Sequence, residues 1–224
     1  VTGPTGVSGR LVFATGTTSE GNSGAFSLET GAATSGKAGA INIAVGNGDS
    51  GTGGNVLISS GGVDSDDSKA ASGGAMFFRS GYSTATSSGN LELATANAGT
   101  EGVSGLIYFH TGISSDGDSG MITLATGSAT GGAGGAIAIE VGSGTSGAGG
   151  GIGLTAGLST DASGGSVTIR SGMGTTTSSG KIALSTANSG PDGESGTLVL
   201  STGVSQTTSG FVKLETGASS SGAG

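Results

Sequence analysis

The sequence contains no cysteine and no tryptophan, and it has only two prolines. Without cysteine, disulfides and thiolate metal sites are excluded, and the composition is compatible with an oxidising exterior. Seven Lys and Arg face fifteen Asp and Glu, so a basic surface for nucleic acid or for an anionic membrane is excluded as well. No apolar run approaches the roughly 20 residues that span a bilayer, so we predict no membrane insertion.

Glycine is what the sequence has in excess, with 52 in 224 residues, and its placement is periodic. The clearest example is the segment 135–142, GAIAIEVG, in which Ile137 and Ile139 alternate with smaller or polar residues between two glycines. Such alternation predicts a strand with one apolar side, and the glycines predict turns at both of its ends. A disordered chain is usually charged and aperiodic, so we expect an ordered repeat.

The same pattern recurs fourteen times, mostly at a spacing of 15 residues, and each copy is called a repeat. The opening glycines of the repeats are Gly9, Gly24, Gly39, Gly54, Gly74, Gly89, Gly105, Gly120, Gly135, Gly150, Gly165, Gly180, Gly196 and Gly210. Regular repetition of this kind predicts a single repeat array over 1–224. Because the pattern runs to both ends, we expect a fragment of a longer repetitive protein.

Two large apolar residues in each repeat predict the fold. The second of them is leucine in all but one of the even-numbered repeats and phenylalanine or isoleucine in all but one of the odd ones. We therefore predict an all-β fold, a parallel β-solenoid (β-helix) of about seven coils with two strand–turn repeats of ~15 residues in each coil. Coils of a single repeat remain an alternative. Stacking of coils would supply the hydrogen bonds and most of the stability.

The predicted core consists of these two side chains from every repeat. Its members are Leu11, Phe13, Phe26, Leu28, Ile41, Ile43, Val56, Ile58, Met76, Phe78, Leu91, Leu93, Ile107, Phe109, Ile122, Leu124, Ile137, Ile139, Ile152, Leu154, Val167, Ile169, Ile182, Leu184, Leu198, Leu200, Val212 and Leu214. Residues two repeats apart would be neighbours on the outer side. The expected pairs are Phe77 with Tyr108, Asn55 with Asn90, and Glu140 with Arg170.

A longer period of six repeats is also visible. The segment 39–46, GAINIAVG, matches 135–142, and the Thr-Ala-Asn of 95–97 recurs at 186–188. Duplication of a gene segment explains this identity. Selection for an assembly contact that recurs along a filament is the alternative, and duplication alone is the simpler explanation.

The sequence offers little chemistry, and we predict neither enzymatic activity nor a cofactor. Its single histidine, His110, lies at an outer strand position without a Ser/His/Asp set. Asp64, Asp66 and Asp67, in the longest loop, are weak candidates for a Ca²⁺ site, because clustered carboxylates suit that ion. A solvated acidic loop is the ordinary interpretation of the same residues, so no metal site is predicted.

Ice binding is a further alternative, since flat β-solenoids with regular threonine arrays bind ice. Threonine does end many repeats, as at Thr15, Thr126 and Thr202. The column is interrupted at Val45 and Val141, among other positions, so ice binding ranks third among the functions considered.

Repeats such as 119–127, with the pattern S-G-x-h-x-h-x-T-G in which h is apolar, resemble glycine-, serine- and threonine-rich repeat proteins of extracellular fibres. Flagellar hairs and surface fibres of microalgae are one such group, and repetitive bacterial adhesins are the other. The resemblance covers almost the whole chain, but it assigns no functional residue. It implies a structural role outside the cell or at its surface.

The predicted function is therefore a structural subunit of an extracellular filament or surface appendage, self-associating by β-solenoid stacking. The expected partners are copies of the chain itself or related repeat subunits. O-linked glycans on the Ser/Thr-rich turns remain open. The stalk or passenger of a surface adhesin is the alternative function.

Overall fold

The computed structural model describes residues 8–64 and 72–219. Over these two ranges the chain forms neither helix nor strand and runs as irregular segments joined by bends. The prediction of an all-β, parallel β-solenoid of about seven coils is therefore wrong for the described residues. Alternation shows which side chains share one side of a segment, but not whether two segments lie close enough to exchange backbone hydrogen bonds. Here no ladder of such bonds joins described repeats.

The chain divides into two units, Val1–His110 and Thr111–Gly224. Each unit contains seven of the fourteen opening glycines and fourteen of the 28 predicted core residues. The organisation of all fourteen repeats as one array stays a prediction.

The bends lie near the middle of the connections between repeats. They are found at 19–21, 34–36, 49–51, 84–86, 100–101, 115–117, 130–132, 145–147, 160–162, 175–177, 191–193 and 206–207. Within the described ranges a left-handed backbone occurs only at Gly21, with a φ of 105°, and at Gly51, with a φ of 74°. A side chain at these two positions would be strained. The glycines that open and close the repeats do not need this conformation, so another constraint must explain them.

The predicted core side chains are not buried in this structure. All 28 are exposed, from 42% for Met76 to 86% for Leu214. The accessible surface of the chain is 22351 Å², whereas a folded monomer of this mass has about 8,900 Å². Because the repeats do not stack, their apolar side chains remain in water, and no hydrophobic residue of the described part is buried.

None of the three neighbour pairs expected from two-repeat coils is formed, although all six residues are described. The ring contacts of the described part are Phe13 with Phe26 and Tyr108 with His110, and its ion pair joins Lys213 to Glu215. Contacts between residues two repeats apart depend on a parallel stack, so they are lost together with it.

Candidate self-association surface

The repeats meet at a contact that the sequence analysis missed. At every junction, the residue that precedes the closing position of one repeat lies against the opening glycine of the next repeat; the closing position is glycine except at Ala96 and Ala187. We call that residue the corner residue, and its contact with the glycine a neck. The necks are Thr15–Gly24, Thr30–Gly39, Val45–Gly54, Ser60–Gly74, Ser80–Gly89, Thr95–Gly105, Thr111–Gly120, Thr126–Gly135, Val141–Gly150, Ala156–Gly165, Ser171–Gly180, Thr186–Gly196 and Thr202–Gly210.

Close approach explains the opening glycine at six of the thirteen necks, where an added Cβ atom would lie less than 3.4 Å from its nearest neighbour. A Cβ atom added to an opening glycine would lie between 2.7 and 3.9 Å from the corner side chain. Closing glycines such as Gly46 and Gly142 have open space in the same direction. The two kinds of bracketing glycine therefore differ, because a Cβ atom would be crowded at six opening glycines and in ordinary contact at the other seven, but in open space at the closing glycines.

The neck between Thr15 and Gly24 reverses the direction of the chain. Thr15 lies against Gly24, and the rings of Phe13 and Phe26 are 6.4 Å apart between their centroids. Phe13 precedes Thr15 by two residues and Phe26 follows Gly24 by two, which is the register of two antiparallel segments. In the predicted two-repeat coil, consecutive repeats would likewise run in opposite directions on the two facing sides of the core. This junction therefore does not test the parallel course, which concerns repeats two apart.

Corner residues without a branched Cβ allow a backbone hydrogen bond at the neck. In four necks the N–H of the opening glycine donates to the carbonyl of the preceding closing glycine, at 2.9 to 3.0 Å between N and O. These bonds run from Gly74 to Gly61, from Gly89 to Gly81, from Gly165 to Gly157 and from Gly180 to Gly172. Their corner residues are Ser60, Ser80, Ala156 and Ser171, which are all the unbranched corner residues of the chain.

Two threonine necks use the side chain instead. The hydroxyl of Thr30 donates to the carbonyl of Gly39 at 3.1 Å, and that of Thr126 donates to the carbonyl of Gly135 at 3.2 Å. The branched Cβ keeps the two backbones apart, and the hydroxyl bridges the gap that results. This geometry also bears on ice binding, because these threonine hydroxyls are engaged with backbone carbonyls rather than arrayed toward water.

Valine corner residues give the closest contact. A Cβ on Gly54 would lie 2.7 Å from Cγ1 of Val45, and a Cβ on Gly150 would lie 2.7 Å from Cγ1 of Val141. Valine has no hydroxyl, and its branched Cβ does not allow the glycine–glycine bond seen beside serine or alanine. Van der Waals packing, without a hydrogen bond, therefore holds these two necks together.

The neck chemistry repeats with the six-repeat period. In the first six necks the corner residues are Thr, Thr, Val, Ser, Ser and Thr, and in the next six they are Thr, Thr, Val, Ala, Ser and Thr. The hydroxyl bonds, the closest contacts and the backbone bonds all recur at the matching positions. A turn with an N–H···O=C bond from Gly102 to Gly99 likewise recurs from Gly193 to Gly190.

The necks also contain the least exposed residues of the chain. In the described ranges only Ser80, Thr111, Ala156 and Gly174 are half-buried, and the first three of these are corner residues. The remaining described residues are exposed, including all large apolar side chains. Each unit therefore presents fourteen predicted core side chains to solvent, held by a local framework of necks. These side chains form the candidate self-association surface.

No catalytic or metal-binding arrangement is found among the described residues. His110 stacks on Tyr108 with ring centroids 4.6 Å apart, which is a packing contact. Asp64 is exposed, while Asp66 and Asp67 lie outside the described residues. No group of three His, Asp or Glu side chains able to hold a metal ion occurs in the ranges the structure covers.

The sequence did contain a signal for the necks. In nine of the thirteen junctions the corner residue and the next opening glycine are exactly nine residues apart, although the turn between them varies in composition. A constant separation across a variable turn indicates that the two ends of that turn touch.

Comparison with known proteins identifies no relative of the chain. No protein-family model, curated protein or solved structure matches the chain. Nor do the described residues contain any helix of the length and apolarity required to cross a membrane. The resemblance to extracellular fibre proteins therefore stays a prediction.

Proposed function

We propose that this chain is a structural subunit of an extracellular filament or surface appendage, and that copies of it associate through the candidate self-association surface. The observation that carries the proposal is the exposure of all 28 large apolar side chains at regularly repeated positions. Soluble monomers rarely expose apolar surface on this scale, and such surface marks sites of association. Burial against another copy would remove it from water.

The composition supports a structural role. Only 10% of the residues are charged, so few charges lie among the apolar side chains, and apolar burial has to outweigh the repulsion between copies that each carry a net charge of −8 at neutral pH. The absence of cysteine suits a location outside the cell, where free thiols are oxidised. Partners of the same kind, namely copies or related repeat subunits, supply apolar side chains at the same intervals.

Association in this form does not require coils formed beforehand. The necks hold neighbouring repeats at a fixed local geometry, and the apolar side chains on either side of each neck stay available. Repetition then multiplies weak contacts, because each repeat adds the same small contribution along the chain.

Sedimentation velocity of the purified full chain tests the proposal. We expect species larger than the monomer that grow with protein concentration, and elongated particles by electron microscopy. The variant Ile137→Ser with Ile139→Ser removes two exposed apolar side chains and should weaken association by about tenfold or more, since burial of each is worth about 1.5 to 3 kcal/mol.

The matched control replaces Ala136 and Ala138 with serine on the same repeat, between the same two glycines. This control should associate like the unaltered chain, because it adds hydroxyls without removing a large apolar side chain. A monomer at every concentration tested would refute the proposal, and a stalk that holds another domain away from a surface would then fit the sequence better.

A further inference from the structure

We infer that Asn47 is a site of spontaneous deamidation, in which its side-chain amide is lost as ammonia through a ring formed with the backbone of Gly48. The loop concerned, 46–53, lies between Val45 and Gly54, which form one of the two closest necks. Because the reaction concerns one glycine-rich loop of a single chain, it goes beyond the proposed function and does not depend on association.

The reaction needs only water and groups that Asn47 and Gly48 bring together. The backbone nitrogen of Gly48 attacks Cγ of Asn47, and the new C–N bond closes a succinimide ring. The amide nitrogen leaves as ammonia and takes up the proton that the Gly48 nitrogen loses. Water then adds to one ring carbonyl and breaks its bond to the ring nitrogen. Opening at Cγ gives aspartate, whereas opening at the backbone carbonyl gives isoaspartate, in which the chain continues through the side chain.

The residue that follows Asn47 is the first observation. Asn47 is the only one of the seven asparagines that precedes a glycine. All seven are exposed, so access to solvent does not distinguish them. The other six precede residues with a side chain, which is branched at Cβ in Ile43 and Val56 and restricts the approach of the backbone nitrogen. Glycine leaves that approach open and allows the backbone to turn toward the side chain.

The second observation is that the attacking nitrogen is available. The N–H of Gly48 makes no hydrogen bond to any described residue. Asp192 also precedes a glycine, and an aspartate can close the same ring with loss of water. There, however, the N–H of Gly193 donates to the carbonyl of Gly190 at 3.3 Å, so its nitrogen is held in a turn. Of these two sites, Asn47 is therefore the reactive one.

The third observation is that the reactive neighbour can be changed without strain. A Cβ atom on Gly48 would lie 3.6 Å from the carbonyl oxygen of Ser50, which is an ordinary contact, and the left-handed residue of this loop is Gly51. Gly48→Ala is therefore compatible with the loop. It gives Asn47 the same neighbour that Asn97 already has in Ala98.

The chain also contains a matched loop that lacks the asparagine. The loop 142–149 follows the other valine corner residue and has glycines at all four positions that correspond to those of 46–53. Serine occupies position 143, which corresponds to Asn47. Ser143→Asn therefore creates the same Asn-Gly pair between the same kind of neck, and it should make this loop reactive.

Incubation of the purified full chain in neutral buffer, followed by peptide mapping with mass spectrometry, tests the inference. We expect the mass increase from amide to carboxylic acid at position 47 to exceed that at the other six asparagines, which serve as internal references. Fragmentation by electron transfer should identify isoaspartate in the product. The new carboxylate is ionised at neutral pH, so isoelectric focusing should show a form with one additional negative charge.

The variants complete the test. Gly48→Ala should reduce conversion at Asn47 to the level of Asn97, and Ser143→Asn should add a second reactive site. Conversion at Asn47 that is no faster than at Asn97, or that is undiminished in Gly48→Ala, overturns the inference. A Ser143→Asn chain that stays intact at position 143 overturns the assignment of the reactivity to this type of loop. Neither result bears on the filament subunit, because sedimentation measures association separately.

Discussion

Val45 lies so close to Gly54 that a Cβ atom at position 54 would be 2.7 Å from its Cγ1, and Val141 stands in the same relation to Gly150. Real Cβ atoms do not approach other carbon atoms so closely. We therefore expect Gly54→Ala or Gly150→Ala to force the two sides of the neck apart, at a cost of about 1 to 3 kcal/mol in local stability. The loss of nuclear Overhauser contacts between the valine methyl groups and residue 54 or 150 measures this opening.

The closing glycines provide the matched control for that experiment. Gly46 and Gly142 bracket the same repeats, have no positive φ, and would place a Cβ atom in open space. Gly46→Ala and Gly142→Ala should leave the valine contacts in place. Equal effects at opening and closing glycines would show that the necks do not depend on close packing.

Exchange of the corner residue should change how a neck is bonded. Val141→Ser removes the branched Cβ, so we expect the N–H of Gly150 to donate to the carbonyl of Gly142, as the equivalent groups do beside Ser171. A hydrogen bond worth about 0.5 to 1.5 kcal/mol slows exchange of that amide by roughly two- to tenfold. Hydrogen exchange followed by NMR reports the change at Gly150.

The control for this exchange is Val167→Ser, which removes a valine within a repeat rather than at a corner. Exchange at Gly150 should then stay as it is in the unaltered chain. The reverse variant, Ser171→Val, should speed exchange at Gly180, which now donates to Gly172 at 3.0 Å. Unchanged exchange in both corner variants would disprove the role given to the branched Cβ.

The contribution of the Thr126 hydroxyl to its neck should be distinguishable by mutation from that of its methyl group. Thr126→Val keeps the branch but removes the donor to the carbonyl of Gly135, 3.2 Å away, so that neck should resemble the one at Val141. A shift of the Gly135 carbonyl ¹³C resonance, together with a loss of about 0.5 to 1.5 kcal/mol in local stability, is expected. Thr123→Val is the control, since that hydroxyl makes no hydrogen bond to any described residue, and no shift at Gly135 should follow. A Gly135 carbonyl that is indifferent to Thr126→Val would show that the hydroxyl bond is absent in solution.

Association should persist at high salt. The described residues contain one ion pair, between Lys213 and Glu215, and both side chains are more than half exposed, so screening of charge removes little. Apolar burial is not screened, and sulfate strengthens it. Sedimentation at about 1 M sodium chloride should show assemblies as large as those at physiological salt, where the Debye length is about 8 Å. Dissolution of the assemblies by salt would mean that charge, and not apolar surface, holds the copies together.

Part of this architecture can be predicted from the sequence, and part cannot. Alternation around Ile137 and Ile139 marks the repeats, and the glycine-bracketed turns indicate where the chain bends, because both depend on residues that are close in sequence. The six-repeat match of 39–46 with 135–142 likewise anticipates the recurrence of the valine necks. Patterns of this kind involve residues that are close together in the sequence, so they can be recognised from the sequence alone.

Which segments lie side by side cannot be recognised from the sequence in this way. Phe109 and Leu124 have the pattern of core residues, yet they are 68% and 73% exposed, because alternation does not specify what covers an apolar side. The predicted ladder between repeats two apart is absent from the described residues, while consecutive repeats do meet, as Thr15 does with Gly24. Turns rich in glycine, serine and threonine do not specify which segments come to lie side by side.

The two residues of each neck are only a few positions apart in the sequence. The chain therefore consists of small loops, and each loop can open without the others. A typical loop stores eight residues between its corner residue and the next glycine, and these extend to roughly 30 Å when pulled straight. Under tension such a chain would lengthen in steps that are equal at nine of the thirteen necks, and it would recover each step locally on release. A fibre assembled from it would thus be extensible, and its elasticity would be set by the strength of single valine, threonine and glycine contacts.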